Sequence, residues 1–453
     1  MNFDDIKSVH FVGIGGIGMS GIAEILAGAG LAVSGCDLKR SAATELLSSR
    51  GVAVSIGHDP AHVARQDLVV VTSAVRADHP ELDAARIGNI RVMKRAEVLG
   101  AIVSRHRAVA VSGTHGKTTT SAMISVVLEE SGLDPTVLIG GMARNLGTNA
   151  KKGASDLLVV EADEYDRSFH QLRPEIAVVT NIEADHLEYY GTFEAILEAF
   201  RIFLAGVKGT VIACIDDENV AKLVGDSATR RLGNSVLTYG LSEGADVRAT
   251  NLEFSERGSS FEVDGSGFFK LFVPGEHNVR NALAAIAVGR TLGIEGSRIS
   301  TALSKFIGVD RRFQILGDYI GAIVVDDYAH HPTEIRATLE AARRGYPDRR
   351  IVALFQPHLY SRTRDFAREF GEALRIADVP IVVPIYAARE APMEGVSARI
   401  ISDSVSGIEF LDRSNSQIVN EMRRRLGRND IFITMGAGDV HEVAEQLVRG
   451  EML

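Results

Sequence analysis

Between Gly113 and Thr120 the chain reads Gly-Thr-His-Gly-Lys-Thr-Thr-Thr, a run of glycines, hydroxyls and one cation suited to holding the phosphates of a nucleotide. Backbone N–H groups at a helix N-terminus, carrying roughly half a positive charge from the helix dipole, attract phosphate oxygens. Gly113, Thr114, His115, Gly116 and Thr119 would frame the phosphates. Lys117 would add a mobile cation, and the Thr118 hydroxyl a ligand for Mg²⁺. A standard phosphate loop places about four residues between its first glycine and the Gly-Lys pair. Here only Thr114 and His115 intervene, so the loop is a shortened version. A glycine turn capped by threonines could look similar, but Gly-Lys-Thr directly after the apolar run Ala108–Val111 favours nucleotide binding.

Acidic groups follow two other apolar runs. The stretch from Asp156 ends in Glu161, Asp163 and Glu164, and hard cations prefer such oxygen ligands. The stretch from Ile176 ends in Asn181, Glu183, Asp185 and His186. A lone histidine is usually structural, yet His186 follows a strand expected beside the first, so a metal or substrate role weighs equally. Near the N-terminus, Gly13, Gly15, Gly16 and Gly18 precede Asp37 by about twenty residues, the dinucleotide fingerprint spacing. Alone it is a weak signal, because glycines also permit close helix–strand packing. It motivates one reading as a nicotinamide-dependent oxidoreductase. Further on, Asp326, Asp327 and His330, then His358 and Arg362, then Met435–Asp439 each follow an apolar strand, which suggests one shared cleft. Asn278 and Asn281 lie three apart on one helical face, where capping or solvation is the plainer reading.

The elements that must position these groups alternate strand and helix, the pattern of an α/β protein with mostly parallel sheets. The 453 residues suffice for about three domains, and 45% hydrophobic with 24% charged residues fits a globular chain. A net charge of −10 argues against a nucleic-acid partner. Two cysteines, Cys36 and Cys214, are too few for a disulfide framework and point to a reducing cytosol. The weakly charged stretch Val9–Val33 is broken by glycines and preceded by Asp4 and Asp5, so it reads as strand, turn and helix, with no export signal and no membrane span. The sequence predicts strands at 10–12, 32–37, 67–73, 108–112, 156–164, 176–180, 322–326, 350–354, 379–383 and 430–434, and a helix over 20–30. Alternation over 247–273 predicts antiparallel hairpins on the central sheet.

Ten motifs in order, among them HFVGIGGIGMSGIAE, SGTHGKTTT, VEADEYDRSF, TNIEADHLEYY, GEHNVRNALAA, DDYAHHPTE and FQPHLYSRTRD, resemble those of the Mur ligases across nearly the whole chain. These enzymes add amino acids to the cytoplasmic precursor of bacterial peptidoglycan. The resemblance implies three domains: Rossmann-like 1–105, a P-loop ATPase-like central domain 106–314 with a small antiparallel excursion, and Rossmann-like 315–453. It implies ATP-dependent joining of L-alanine to UDP-N-acetylmuramate, with Mg²⁺, in the cytoplasm, by a monomer or homodimer. Gly13, Gly15, Gly16, Gly18, Asp37 and Ser73 would hold the UDP-sugar, which displaces the nicotinamide reading. Lys117 and Thr118 would meet the ATP phosphates; Thr118, Glu161 and His186 would hold metal. Asn278 and Asn281 would face adenine, and Asp326 or Asp327 the ribose. Arg312, His330, His358 and Arg362 would handle substrate, the last two the amino acid.

Two departures stand out. Relatives that carry a metal-bridging carbamylated lysine have it where this chain has Phe200, and HRY in the family reads His358-Leu-Tyr360 here, leaving Arg362 as the carboxylate anchor. Rival readings are a ligase that recycles a preformed tripeptide onto the same sugar nucleotide, and a regulatory NTP-binding module. Because one methyl is worth roughly 1–3 kcal/mol, leakage to serine and glycine is expected.

Overall fold

A computed structural model describes residues 5–72, 74–226, 233–256, 258–388 and 390–450. Three sheets organise the chain. The first comprises β1 (Ser8–Val12), β2 (Ala32–Asp37), β3 (Ala53–Ile56), β4 (Leu68–Val71) and β5 (Arg91–Lys94), in the order β3-β2-β1-β4-β5. All its pairings are parallel. Helix α1 (Ile17–Gly28) starts three residues before the expected Ser20. Gly16 causes this: it stands in an extended conformation as the cap, and its carbonyl accepts from the N–H groups of Met19 and Ser20. Helices α2 (Ala42–Ser49), α3 (Pro80–Ile87) and α4 (Arg95–Ser104) complete this layer.

The central sheet comprises β6 (Arg107–Ser112), β7 (Thr136–Ala143), β8 (Thr148–Lys151), β9 (Leu157–Glu161), β10 (Ile176–Val179), β11 (Thr210–Cys214) and β12 (Ser235–Gly240), ordered β8-β7-β9-β6-β10-β11-β12. Only the β7–β8 pair is antiparallel in this run. Its helices include α5 (Lys117–Glu130), α6 (Leu187–Tyr190) and α7 (Phe193–Ala205). Strands β13 (Val247–Ser255), β14 (Gly258–Val263) and β15 (Gly267–Leu271) follow one another in the sheet order. The excursion is joined to the rest of the sheet through β13, which pairs with β12 in parallel at Val247 and Arg248. The third sheet is β16 (Gln314–Tyr319), β17 (Ala322–Asp327), β18 (Arg350–Phe355), β19 (Val379–Val382), β20 (Glu409–Phe410) and β21 (Asp430–Met435), ordered β16-β17-β21-β18-β19-β20. Here β16 alone runs antiparallel.

Two compact units result: Met1–Ala249 with Val263–Gly267 and Arg280–Leu303, and Thr250–Glu262 with Phe268–Val279 and Ser304–Leu453. The first and central sheets share one unit because α1 packs on β7 and β8. A Cβ added at Gly21 would lie 2.3 Å from Leu138 Cδ1 and 3.2 Å from Ala150 Cβ, so only glycine lets the helix approach this closely. One apolar cluster, including Phe11, Ile22, Leu99, Leu138, Phe169 and Phe200, runs through both layers. Each such side chain contributes about 1.5–3 kcal/mol by leaving water. Among the described residues no helix is long and apolar enough to cross a membrane.

Phe200 belongs to this core. It is fully buried on α7, its ring edge-on to Phe169 at 5.3 Å, so the position offers packing and no metal ligand. Phe200→Ala is expected to lower stability by about 3–5 kcal/mol, read from the urea midpoint. A loss below about 1 kcal/mol would show that the site is not part of the core.

Candidate functional site

Sheet register brings the first constellation together. β6 lies between β9 and β10, with Val111 opposite Glu161 and Ser112 opposite Val179, so the loops after all three strands leave the same edge. The phosphate loop leaves β6 at Gly113, with φ +129°, and enters α5 through Gly116, with φ +81°. Side chains that follow β10 hold it: Asn181 Oδ1 accepts from His115 N at 2.8 Å, and Asn181 Nδ2 and Thr180 Oγ1 donate to the His115 carbonyl at 3.1 and 2.7 Å. The Thr114 hydroxyl accepts from Glu183 N at 2.9 Å. The first turn of α5 therefore stands at a fixed angle, its N–H groups without intrahelical acceptors. Thr119 lies within that turn, buried.

Lys117 Nζ donates to the carbonyls of Gly113 (2.6 Å) and Thr114 (3.2 Å) and to Glu164 (2.8 Å). Burial works against its ammonium, but the carboxylates of Glu164, Asp163 and Glu161 outweigh burial and hold its pKa above the ordinary lysine value. Burial pushes both Glu161 and Glu164 above the usual glutamate range. Glu161 accepts from the Gly140 N–H and, at 3.2 Å, from the Thr118 hydroxyl. Thr118 and Glu161 thus form a pair of hard oxygen donors at the foot of the phosphate loop, and a desolvated carboxylate gains from a nearby cation. Both features fit Mg²⁺. His186 sits at the N-terminus of α6 with φ +56°, a conformation uncommon outside glycine, its ring 5.1 Å from Tyr165. Its Nε2 is 3.8 Å from Asp185 and its Nδ1 3.6 Å from Glu188.

Asn281 lies beneath the phosphate loop. Its Oδ1 accepts from the Thr120 hydroxyl at 3.0 Å, and a Cβ on Gly116 would meet it at 2.8 Å. Asn278 donates to the Pro274 carbonyl at 2.7 Å, at the start of the helix Glu276–Thr291.

In the first sheet the glycine turn is tied to β2. Gly13, with φ +80°, and Ile14 donate to the Cys36 carbonyl at 2.9 and 3.0 Å, and Gly15 N donates to Asp37 Oδ2 at 2.8 Å. Gly18 faces Arg95, whose Nη1 would lie 3.2 Å from a Cβ there. The Asp37 carboxylate thus shapes the turn itself. Ser73 lies outside the described residues.

The second unit gathers another cluster where β17, β21 and β18 end side by side. Asp326 is 2% exposed, accepting from Arg311 Nε (2.9 Å) and the Thr434 hydroxyl (2.8 Å). Asp327 accepts from Phe313 N, Ala329 N and the Thr338 hydroxyl. Arg312 Nη1 is 3.5 Å from Glu334, and its guanidinium lies over the Tyr328 ring. His330 Nδ1 is 3.0 Å from the Tyr328 carbonyl, and its ring is 5.9 Å from that of His358, which stacks on Tyr386. Arg362, in the short helix Tyr360–Asp365, is 8% exposed. Gln356 Nε2 bridges to Asp439 at 2.7 Å, so the polar groups after all three strands meet.

Burial pushes the Asp327 carboxyl up to about 6, against the pull of the Arg312 cation and the Ala329 N–H. A carboxyl whose folded pKa exceeds its unfolded value of about 3.9 binds its proton more tightly in the folded chain. Its stabilisation is full below the unfolded pKa and is lost as pH rises through about 6. Asp327→Asn should therefore remove on the order of 2–3 kcal/mol of stability change between pH 4 and 7. Parallel pH profiles of the denaturation midpoint for the two proteins would contradict this.

Several functional contacts escaped the sequence reading: Glu164 as the partner of Lys117, Asn181 as the prop of the loop, and Arg311 as the partner of Asp326. Asn181 was accessible in principle, since an amide directly after the strand beside β6 can bond a loop backbone in both directions.

Three family descriptions match: Mur ligase family, catalytic domain, over residues 8–107; Mur ligase middle domain over 111–289; and Mur ligase, glutamate ligase domain, over 311–438. The chain belongs to the Mur ligase family. A UDP-N-acetylmuramate–L-alanine ligase of Renibacterium salmoninarum is 45% identical, covering 99% of this chain and 97% of that protein. One of Salinibacter ruber is 44% identical, covering 98% and 94%. The crystal structure of a UDP-N-acetylmuramate-alanine ligase from Thermotoga maritima superposes with a TM-score of 0.82 at 30% identity, covering 98% and 99%. A murein peptide ligase from Psychrobacter arcticus, at 23% identity and a TM-score of 0.70, shares the Mur ligase fold.

Proposed function

We propose that this Mur ligase joins L-alanine to the lactyl carboxylate of UDP-N-acetylmuramate, consuming ATP, in cytoplasmic peptidoglycan precursor synthesis. The observation that carries the reading is the full-length match at 44–45% identity to ligases of that name, with the phosphate loop and Lys117 intact within it. The tripeptide-recycling alternative is not favoured, since the full-length relatives at 44–45% identity are ligases that take L-alanine, and the structure of one such ligase superposes with the higher TM-score, 0.82 against 0.70 for a murein peptide ligase.

A carboxylate is a poor electrophile, so the sugar's lactyl carboxylate first attacks the γ-phosphate of ATP and becomes an acyl phosphate, with ADP leaving. The amine of L-alanine then attacks that carbon and displaces phosphate. Two anions meet in the first step. Lys117 offsets the repulsion by exchanging one of its loop carbonyls, or Glu164, for a phosphate oxygen. The N–H groups of α5 take further phosphate oxygens. Thr118 and Glu161 would hold one Mg²⁺ and His186 would stand at a second, and these ions would supply charge neutralisation when bound. The glycine turn of the first sheet and Asp37 receive the UDP moiety, while Arg312, His330, His358 and Arg362 serve the amino acid and its transfer.

Phosphate release in the presence of ATP and Mg²⁺ tests this directly. It should require both UDP-N-acetylmuramate and L-alanine, and release equal to the full rate with either one omitted would overturn the reading.

A further inference from the structure

The first sheet holds a second concentration of chemistry that the ligase reaction does not use. His10 on β1 and Cys36 on β2 point to the same face of the sheet, since His10 pairs with Ser34 and Cys36 stands two residues further along. That face is covered by the 3₁₀ turn Pro60–Val63, which carries His62, and by the first turn of α3, which carries Glu81. One donor atom from each of His10, Cys36, His62 and Glu81 lies within 4.8 Å of all the others. Cys36 Sγ is 3.0 Å from Glu81 Oε2, and His62 Nδ1 is 2.7 Å from Glu81 Oε1.

His10 supplies an independent sign. It is 2% exposed, its Nδ1 is 2.9 Å from the Ser34 hydroxyl, and its Nε2 is buried with no hydrogen-bond partner. A buried ring nitrogen without a partner is costly in a folded protein. The Ser34 hydroxyl can accept from Nδ1–H as outer hydrogen bonds do for metal-bound histidines, and in that tautomer the lone pair stands on Nε2.

We propose that His10, Cys36, His62 and Glu81 bind one zinc-class divalent metal ion. Two histidines, a thiolate and a carboxylate form a four-coordinate donor set of the kind such ions favour. Two neutral imidazoles and two anions also cancel the charge of the ion, which a buried site requires. Donors at about 2.0–2.3 Å from zinc stand roughly 3.3–3.8 Å apart, so small side-chain rotations close the set. Coordination is not a redox step. The Cys36 thiol loses its proton to solvent as the sulfur–metal bond forms, and Glu81 is already ionised. Since the Cys36 carbonyl receives Gly13 N and Ile14 N, and Asp37 receives Gly15 N, the ion would stiffen the neighbouring glycine turn.

The full-length protein, freed of metal with a chelator and titrated anaerobically with Co²⁺, should bind one equivalent. It should develop the intense visible bands of a tetrahedral site and a near-ultraviolet thiolate charge-transfer band, both bleached by Zn²⁺. Cys36→Ser should abolish the charge-transfer band, His10→Gln should weaken binding at least tenfold, and Cys214→Ser should leave both unchanged, with circular dichroism reporting the fold of each. Zinc-edge X-ray absorption of the unaltered protein needs no variant and should show one sulfur neighbour at about 2.3 Å. A shell of oxygen and nitrogen alone, a charge-transfer band that survives Cys36→Ser, or no stoichiometric binding would show a hydrogen-bonded cluster only and overturn the proposal.

Discussion

Lys117→Met is expected to lower kcat by about 10³-fold while UDP-N-acetylmuramate still binds. The ammonium is the cation built into the phosphate loop, gripped by two loop carbonyls and Glu164. Donors aimed at developing charge in a water-poor site are worth about 10²–10³ each, and a full positive charge between two reacting anions belongs at the upper end. Methionine keeps the length and apolar stem but strands Glu164, whose carboxyl burial already drives toward its neutral form. The double variant Lys117→Met with Glu164→Gln removes that strain and should regain stability without regaining activity. Single-turnover phosphate release and calorimetric binding of the sugar nucleotide separate these effects. A kcat within tenfold of the unaltered enzyme would exclude Lys117 from the reaction.

Gly113→Ala should weaken ATP and ADP binding by at least ~10²-fold. The residue has φ +129°, which alanine adopts only with strain. Its new Cβ would stand 2.1 Å from Thr180 Oγ1 and 3.0 Å from both backbone N and O of Asn181. The hydroxyl could rotate, but the Asn181 backbone cannot withdraw, because its carbonyl accepts Thr114 N and its side chain holds His115. The loop must therefore shift. Gly147→Ala is the control: φ there is +63°, yet nothing lies within 4 Å of the added carbon. It carries the backbone strain of order 1–3 kcal/mol without a clash near the loop. Equal nucleotide affinity in the two variants would show that the close approach at Gly113 is unimportant.

Much of this arrangement was legible in the residues because buried parallel strands read as short apolar runs. Leu68–Val71, Leu157–Glu161, Ile176–Val179 and Asp430–Met435 all stand where such runs occur. Strands without that signature were missed. β7, Thr136–Ala143, carries two glycines, and β16 and β20 are edge strands with mixed polarity. The glycine at position 21 looked like an ordinary helix residue, though it decides how closely α1 approaches Leu138. Within the candidate site, the local geometry of the loop glycines, Lys117 and Thr118 was legible from the chain alone. Partnerships across strands were not, because Lys117 with Glu164 and His10 with Cys36, His62 and Glu81 depend on register. Asp37 shows the opposite difficulty. Its spacing from the glycines marked it as a partner of the bound nucleotide, and the bond its carboxylate accepts from the Gly15 N–H, which shapes the turn itself, was not legible from spacing alone.

The central claim is that the phosphate loop serves carboxylate activation, and an oxygen label follows that step atom by atom. UDP-N-acetylmuramate carrying ¹⁸O in both lactyl carboxylate oxygens is incubated with ATP, Mg²⁺ and L-alanine, and the released phosphate is weighed by mass spectrometry. The account predicts one ¹⁸O in each phosphate released and one retained in the new amide. Phosphate free of label, formed at the same rate as the alanyl product, would contradict it.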